Sequence, residues 1–290
     1  MASCRSLAAV LAVAATLGAC KNDRQSETME RPGDAPQAPA AKANPVNIVA
    51  TDFKFEMPDT IPAGMVTFNL VNHGKELHHA QLVKLEDGKT INDFLAASKE
   101  HGPPPSWVKF VGGPNPAGPG QTISGANALA PGNYLVICFI PSSDGVPHAA
   151  KGMSRPFTVS GASDAGTALP AVADTIRLVD YDFLPSRPLT AGSHTFLVEN
   201  VGPQAHELVL IRLAPGKTIQ DFGEWAEGGL KGPPPASPVG GVAALDQGLT
   251  AQFTADLTPG EYGFICFVPD SKDGKPHLAH GMLKQFKVES

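Results

Sequence analysis

The amino-acid sequence predicts an all-β protein built from two similar domains. Glycine and proline contribute 30 and 28 of the 290 residues, a composition that favours short strands and turns over long helices. Hydrophobic residues make up 42% of the chain, enough for each half to bury its own core. The two halves also repeat each other at a period of about 128 residues, which indicates a duplicated domain and not a solenoid of small repeats.

Three pairs of matching segments define the repeat. NHGKELHHAQLVKL, from Asn72, matches NVGPQAHELVLIRL, from Asn200. LAPGNYLVICFIP matches LTPGEYGFICFVP, and CFIPSSDGVPHAAKGM matches CFVPDSKDGKPHLAHGM. We therefore predict one domain over residues 46–160 and a second over residues 172–290. The segment between them, 161–171, has the Gly, Ser and Ala content of a linker.

The N-terminus predicts export from the cytoplasm. Arg5 precedes an apolar run, Leu7 to Leu17, that is too short to span a bilayer as a mature anchor, so residues 1–20 are predicted to be a signal peptide. The ending Leu-Gly-Ala-Cys20 resembles the bacterial lipobox, which implies that Cys20 becomes a lipidated first residue. The alternative is an ordinary cleaved signal with a chance cysteine. Residues 21–45 are polar and rich in Pro and Ala, as expected of a disordered tether. Lipidation would place the protein in the periplasm or cell envelope, anchored to a bacterial membrane.

The charge of the chain excludes one class of partner. The formal net charge is −6, and no basic stripe with interleaved aromatic residues is present. Proteins that bind nucleic acids usually carry such a stripe. We therefore expect no nucleic-acid partner.

Strand and helix signals recur in both halves. Val66, Phe68 and Leu70 alternate with polar residues, the period of a strand with one buried face. A Pro-Gly turn precedes a strand that ends at Cys138, and another precedes one that ends at Cys266, with both cysteines expected on the inward face. Thr-x-x-Asp spacing at residues 90–93 and 218–221 predicts a capped helix in each half. The predicted architecture is two tandem Greek-key β-sandwiches, each with a short helical insertion.

Four residue types occur in the same order in each half: a histidine, then Cys, His and Met. Two imidazoles, a thiolate and a weak thioether are the donors of blue-copper electron-transfer sites, because sulfur favours Cu(I) and imidazole accommodates Cu(II). A strand that ends at the cysteine, followed by a loop, can return the second histidine and the methionine to the same metal. The candidate ligands are His78, Cys138, His148 and Met153 in the first half, and His206, Cys266, His277 and Met282 in the second.

These motifs resemble the cupredoxins, the plastocyanin- and azurin-like blue type 1 copper proteins, over about residues 45–160 and 170–290. The resemblance implies a cupredoxin-like sandwich in each domain, two copper ions, one per domain, and electron exchange with redox proteins such as a cytochrome or a copper oxidase. It also implies that His148 and His277 form an apolar rim through which electrons pass. The chain departs from many cupredoxins after the first ligand histidine, where His79 and Glu207 replace an Asn that braces the site.

Alternative functions follow from the same resemblance. Multicopper oxidases and copper nitrite reductases need His-x-His pairs and a histidine beside the ligand cysteine, and this sequence has neither. We therefore expect an electron carrier and not an enzyme. A copper-delivery or storage protein is the second interpretation, and an interaction module without metal is the third. A disulfide between Cys138 and Cys266 is disfavoured, because both are predicted at inward-facing strand ends of separate domains.

Overall fold

The computed structural model describes residues 44–97, 104–161, 172 and 174–289. The predicted signal peptide with Cys20, the tether up to residue 43 and linker residues 162–171 lie outside the described residues. The first strand begins at Asn44, inside the segment predicted as a tether. The described chain is all-β with two short α-helices, as the composition predicts. None of the helices in this part of the chain is long and apolar enough to cross a membrane.

The first domain is a sandwich of two sheets. One sheet contains four of its strands in the order β7-β4-β1-β2, and the other has the order β3-β9-β8-β5-β6. The elements are β1 (Asn44–Thr51), β2 (Lys54–Glu56), β3 (Thr60–Pro62), β4 (Gly64–Asn72), β5 (Gln81–Leu85), α1 (Ile91–Ala97), β6 (Val108–Phe110), β7 (Thr122–Leu129), β8 (Gly132–Ile137) and β9 (Ser154–Ser160).

The second domain repeats this plan. One sheet has the order β11-β10-β12-β15 and the other the order β14-β13-β16-β17. The elements are β10 (Asp174–Val179), β11 (Asp182–Pro185), β12 (Gly192–Asn200), β13 (His206–Leu213), α2 (Ile219–Glu227), β14 (Ala236–Leu245), β15 (Thr250–Leu257), β16 (Gly260–Ile265) and β17 (Leu283–Val288).

The strand that leads to each cysteine is buried on both faces. Val136 and Cys138 belong to the core between the two sheets, as the alternation predicts. The intervening Leu135 and Ile137 pack against Phe94 of α1 on the outer face. Strand β16 and helix α2 repeat this arrangement. The helical insertion therefore explains why these strands are apolar at consecutive positions.

Both helices begin with the predicted capping interaction. In α2 the Thr218 hydroxyl accepts a hydrogen bond from the Asp221 backbone N–H, and the Asp221 carboxylate accepts one from the Thr218 backbone N–H. Thr90 and Asp93 make the same pair of hydrogen bonds before α1. These reciprocal bonds satisfy donors that a helix start otherwise leaves unpaired.

The two domains share one continuous eight-stranded sheet. Strand β7 of the first domain pairs antiparallel with β15 of the second, with Gly125 opposite Phe253 and Ala126 opposite Gln252. The repeat in the sequence does not predict this pairing, because each domain's own pattern accounts only for its own sheets. The two domains therefore form one compact body.

A second contact between the domains runs through residues 110–115, which pair with β14. The Gly112 N–H donates to the Ala244 carbonyl at 2.9 Å, and the Ala243 N–H donates to the Gly113 carbonyl at 2.9 Å. Gly113 has φ +117°, and a Cβ there would lie 2.0 Å from the Ala80 carbonyl oxygen. Gly241, its counterpart in the repeat, would bring a Cβ equally close to the Leu208 oxygen. Only glycine fits at both positions.

Substitution of either glycine should destabilise the whole body. Gly113→Ala and Gly241→Ala combine backbone strain with a collision, so we expect each to lower the free energy of unfolding by about 3 kcal/mol. Gly88→Ala is the matched control, because Gly88 has φ +82° but a Cβ added there would meet none of the described residues within 4 Å. Thermal unfolding followed by calorimetry measures the difference. Equal losses for all three variants would contradict the close packing described above.

Candidate metal centres

Three candidate ligands of the first domain converge in the core. The Nδ1 atoms of His78 and His148 lie 3.1 Å apart, and the Cys138 Sγ lies 3.4 Å from the His148 Nδ1. All three side chains are fully buried. Their sources differ: His78 lies just before β5, Cys138 just after β8, and His148 at the start of a 3₁₀ helix, His148–Lys151.

The second domain brings together the equivalent three residues. The Nδ1 atoms of His206 and His277 lie 3.0 Å apart, and the Cys266 Sγ lies 3.3 Å from the His277 Nδ1. All three are fully buried. Both cysteines are free thiols, so the described structure contains no disulfide between them.

The methionine predicted as the fourth ligand of each domain lies close to the cysteine of that domain. Met153 is fully buried in the same core cluster as Cys138, and Met282 in the same cluster as Cys266. The Cys138 N–H donates to the Met153 carbonyl at 3.1 Å, and the Cys266 N–H donates to the Met282 carbonyl at 3.2 Å. The backbone therefore holds each methionine beside its cysteine.

The loop from Cys to Met has the same backbone frame in both domains although its length differs. In the first domain the Ala149 N–H donates to the Cys138 carbonyl and the Met153 N–H to the His148 carbonyl. The second domain makes the same two bonds between Leu278 and Cys266 and between Met282 and His277. The additional residue of the second loop lies at its tip, between the paired residues Pro269 and Pro276. The length difference therefore leaves the donor atoms in place.

Two carboxylates fix the orientation of the first-domain rings. The His78 Nε2 lies 2.9 Å from the Asp52 Oδ1, and the His148 Nε2 lies 3.0 Å from the Glu76 Oε2. A carboxylate accepts hydrogen bonds, so each ring carries its proton on Nε2 and turns the unprotonated Nδ1 toward the other ring. In the second domain Asp180 makes the same contact with His206 at 2.9 Å.

This arrangement fits a metal ion. Two Nδ1 lone pairs point toward one another beside a sulfur, and the thiol hydrogen is the one proton available among the three atoms. A cation that displaces this proton would satisfy all three donors. Two imidazoles and one thiolate, with a methionine close by, are the donors that copper takes in blue-copper sites.

Burial favours the uncharged form of His78, His206, His277 and both cysteines in the metal-free chain. Loss of solvent lowers the pKa of His78 and of His206, and it lowers the pKa of His277 to about 4. Burial also raises the pKa of the Cys138 thiol to about 12 and that of Cys266 well above its usual value. Neutral imidazole is the ligand form of histidine, while each thiol must lose its proton when a metal binds.

The two loop histidines, which were expected to form an apolar rim, have fully buried rings. Pro147 is exposed, but the His148 ring itself is fully buried beneath Phe53, with ring centroids 5.0 Å apart. Tyr181 covers the His277 ring in the second domain at 5.7 Å. The aromatic residue before β2 or β11 packs over the ring of the loop histidine in its domain, so tertiary packing covers both rings.

The predicted departures at His79 and Glu207 still brace the cysteine loops. The Phe139 N–H donates to the His79 Nε2 at 2.9 Å, and the Phe267 N–H donates to the Glu207 Oε1 at 2.9 Å. Each of these residues also directs its own backbone N–H at the cysteine sulfur of its domain, 3.5 Å away. Imidazole and carboxylate therefore both accept the hydrogen bond from the residue that follows the cysteine.

Sequence reasoning missed the carboxylates around the rings. Asp52 and Asp180 occupy the same position of the repeat, in TDFKF and VDYDF, so their recurrence was an available signal. Glu76 was harder to identify, because Gln204 replaces it in the second domain. There the His277 Nε2 has no hydrogen-bond partner among the described residues and lies 3.7 Å from the Asp270 Oδ2.

Solved structures similar to this chain include an auracyanin and two copper enzymes, whereas no protein-family model and no curated protein matches it. Reduced auracyanin from Roseiflexus castenholzii is 22% identical over 41% of this chain and 98% of its own, with a TM-score of 0.31. A copper-containing nitrite reductase from Thermus scotoductus is 12% identical over 84% of this chain and 61% of its own, with a TM-score of 0.23. A blue copper oxidase from Nitrosomonas europaea is 12% identical over 86% of each chain, with a TM-score of 0.24. Because these TM-scores are low, the similarities do not identify the class of this protein. The class is argued from the fold and the buried donors of the chain.

The fold of each domain is cupredoxin-like, and each domain contains one group of buried donors. Each domain is a two-layer β-sandwich with a helical insertion, and each buries two imidazoles and a thiol within 4.8 Å of one another. The donor chemistry of both groups fits copper.

The carboxylates behind the first histidines should control metal affinity. We expect Asp52→Asn and Asp180→Asn each to weaken copper binding in its own domain by about 10- to 100-fold, because the ring orientation loses its anchor. Asp59→Asn is the control, since Asp59 is an exposed carboxylate paired with Arg155. Competition titration with a copper chelator gives the affinities. Unchanged affinities in the first two variants would contradict the role of these carboxylates.

Proposed function

We propose that the protein is a blue copper protein that carries electrons through one type 1 copper site in each domain. The observation that supports this proposal is the pair of buried His-Cys-His groups, each with two Nδ1 atoms about 3 Å apart beside a sulfur. We propose His78, Cys138, His148 and Met153 as ligands of one ion and His206, Cys266, His277 and Met282 as ligands of the other.

The chain's residues would hold the site rigid during electron transfer. A bound copper ion would supply the one-electron Cu(II)/Cu(I) couple. Asp52 and Glu76 keep the Nδ1 atoms of the two rings directed inward, and the backbone bonds between Cys138 and Met153 fix the loop. Donors held in this way move little when the charge changes, and little reorganisation permits fast electron transfer.

The cellular setting is also a proposal. Lipidation at Cys20 would tether the protein to a bacterial membrane on the periplasmic side, and the polar segment that follows would hold the folded part away from the surface. Redox proteins such as a cytochrome or a copper oxidase are the proposed partners. Val146 is 39% exposed on the loop next to His148 and gives a partner an apolar contact near that ring.

Copper delivery or storage is the second candidate function. The burial of His148 and His277 favours it, because neither ring presents an edge to a redox partner. A carrier with thiolate ligation is intensely blue when loaded with Cu(II), whereas a store that holds only Cu(I) is colourless. Colour after copper loading therefore separates the two candidates.

Replacement of one cysteine should remove one copper centre. We expect the mature protein to bind two copper ions and to show a strong thiolate-to-copper absorption band. Cys138→Ser and Cys266→Ser should each lower the copper content from two ions to one and remove the share of the band that belongs to that domain. Absorption and EPR spectra with mass-spectrometric metal counting measure both effects.

The same spectra contain the outcomes that contradict the proposal. A colourless protein that holds copper would favour storage, and a protein that binds no copper would leave an interaction module. Asn69→Asp is a suitable control, because Asn69 lies on an outer strand face and hydrogen-bonds Asn47 and Ser124 away from both groups.

A further inference from the structure

Three buried polar side chains cross the contact between the domains. The Asn115 Nδ2 donates to the Glu207 Oε2 at 2.8 Å, and the Asn115 side chain also interacts with the His79 ring. All three residues are at most 7% exposed. His79 and Glu207 are the residues that directly follow the first candidate ligand of each domain.

The three side chains form a row in the order His79, Asn115 and Glu207. The donors and acceptors along this row are mutually consistent. The His79 Nε2 accepts the Phe139 N–H, so the neutral ring carries its proton on Nδ1 and can donate it to Asn115. The Asn115 Nδ2 is directed at Glu207, which leaves its carbonyl oxygen to accept from His79. The remaining Glu207 oxygen accepts the Phe267 N–H. Every step therefore pairs one donor with one acceptor.

Both ends of the row terminate at a candidate ligand cysteine. Phe139 and Phe267 directly follow Cys138 and Cys266 in the chain. The backbone N–H of His79 also points at the Cys138 Sγ, and that of Glu207 at the Cys266 Sγ, both at 3.5 Å. Covalent bonds, hydrogen bonds and the contact between His79 and Asn115 thus lead from one sulfur to the other.

The fold of a single domain does not require this row. The position of the repeat equivalent to Asn115 is Ala243, so the second domain forms its sandwich without a matching amide. The row is also costly to bury, because all three polar side chains lose solvent. An apolar contact would avoid this cost.

We propose that His79, Asn115 and Glu207 form the route by which an electron passes between Cys138 and Cys266, so that the two centres exchange electrons within one molecule. The inference rests on the proposed function, because both centres must hold copper. One electron moves, one centre is oxidised and the other is reduced. No bond forms or breaks, no proton leaves the row, and no external reagent is consumed. Electron tunnelling decays less steeply along bonded atoms than across empty space, which makes the bonded row the favoured path.

The hydrogen bonds of the row can be tested in the metal-free protein. Nitrogen NMR of the His79 ring should show the Nδ1–H tautomer, with slow exchange of that proton with solvent. Asn115→Leu removes the acceptor at nearly the same size and should speed this exchange. The row would be overturned by an Nε2–H tautomer of His79. It would also be overturned if Asn115→Leu left the exchange rate of the ring proton unchanged.

Electron exchange can be measured in the two-copper protein. Met282→Gln in every sample changes the axial donor of the second domain and separates the two absorption bands. After a brief pulse of substoichiometric photochemical reductant, we expect one band to recover as the other bleaches, at a rate independent of protein concentration. Asn115→Leu, and Asn115→Ala measured beside it, should slow this phase by about tenfold, the scale on which loss of an outer-shell partner acts.

Gln81→Leu is the matched control. Gln81 is a buried amide that donates across the same contact to the Ala244 carbonyl at 3.0 Å, but it does not belong to the row. It should leave the rate within about twofold of the starting protein, since the outer-shell partners of both centres stay in place. Equal slowing by Gln81→Leu and Asn115→Leu would overturn the route, because domain contact alone would then explain the rate.

Copper counting separates failure of this inference from failure of the proposed function. A protein with two bound coppers and no concentration-independent phase overturns the inference alone. A protein that binds no copper overturns both.

Discussion

The structure depends on the burial of two imidazoles and one thiol with their lone pairs directed at a common point in each domain. Such a group is unfavourable without a cation, since burial removes the water that would otherwise satisfy it. Two carboxylates stabilise this unfavourable arrangement. Asp52 and Asp180 hold the first ring of each site in the tautomer that turns Nδ1 inward. The loop between cysteine and methionine is fixed by its own backbone bonds, which explains why one copy can be a residue longer without moving a donor.

The second constraint is the union of the domains. Strands β7 and β15 merge two sheets into one, and residues 110–115 pair with β14 at glycines that allow the backbones to touch. The two candidate centres therefore belong to one body, and the residues that brace them meet at Asn115. A tandem protein with freely moving domains could not keep such a row of hydrogen bonds intact. Neither domain contains this contact alone.

Much of the fold and the central donors could be predicted. The repeat predicted two similar β-sandwiches, the alternation predicted the inward face of the cysteine strands, and the Thr-x-x-Asp signals predicted both helices. The residues that surround the donors were harder to predict from the sequence. Asp52 lies 26 residues before His78, in the turn between β1 and β2, so no local pattern connects the two. The motif also did not predict that Phe53 and Tyr181 pack over His148 and His277, because both aromatic residues come from segments that the motif does not include.

The sequence by itself determined which atoms are offered to a metal. The types of the candidate ligands and their order can be read from the sequence. Because the same types recur in the same order in both halves, a chance occurrence is disfavoured. Tertiary structure alone decided how those atoms are oriented, covered and connected. Ring tautomers depend on carboxylates distant in sequence, and exposure depends on which side chain packs above. The link through Asn115 exists only where two domains meet, because hydrogen bonds between distant segments arise from geometry that folding creates.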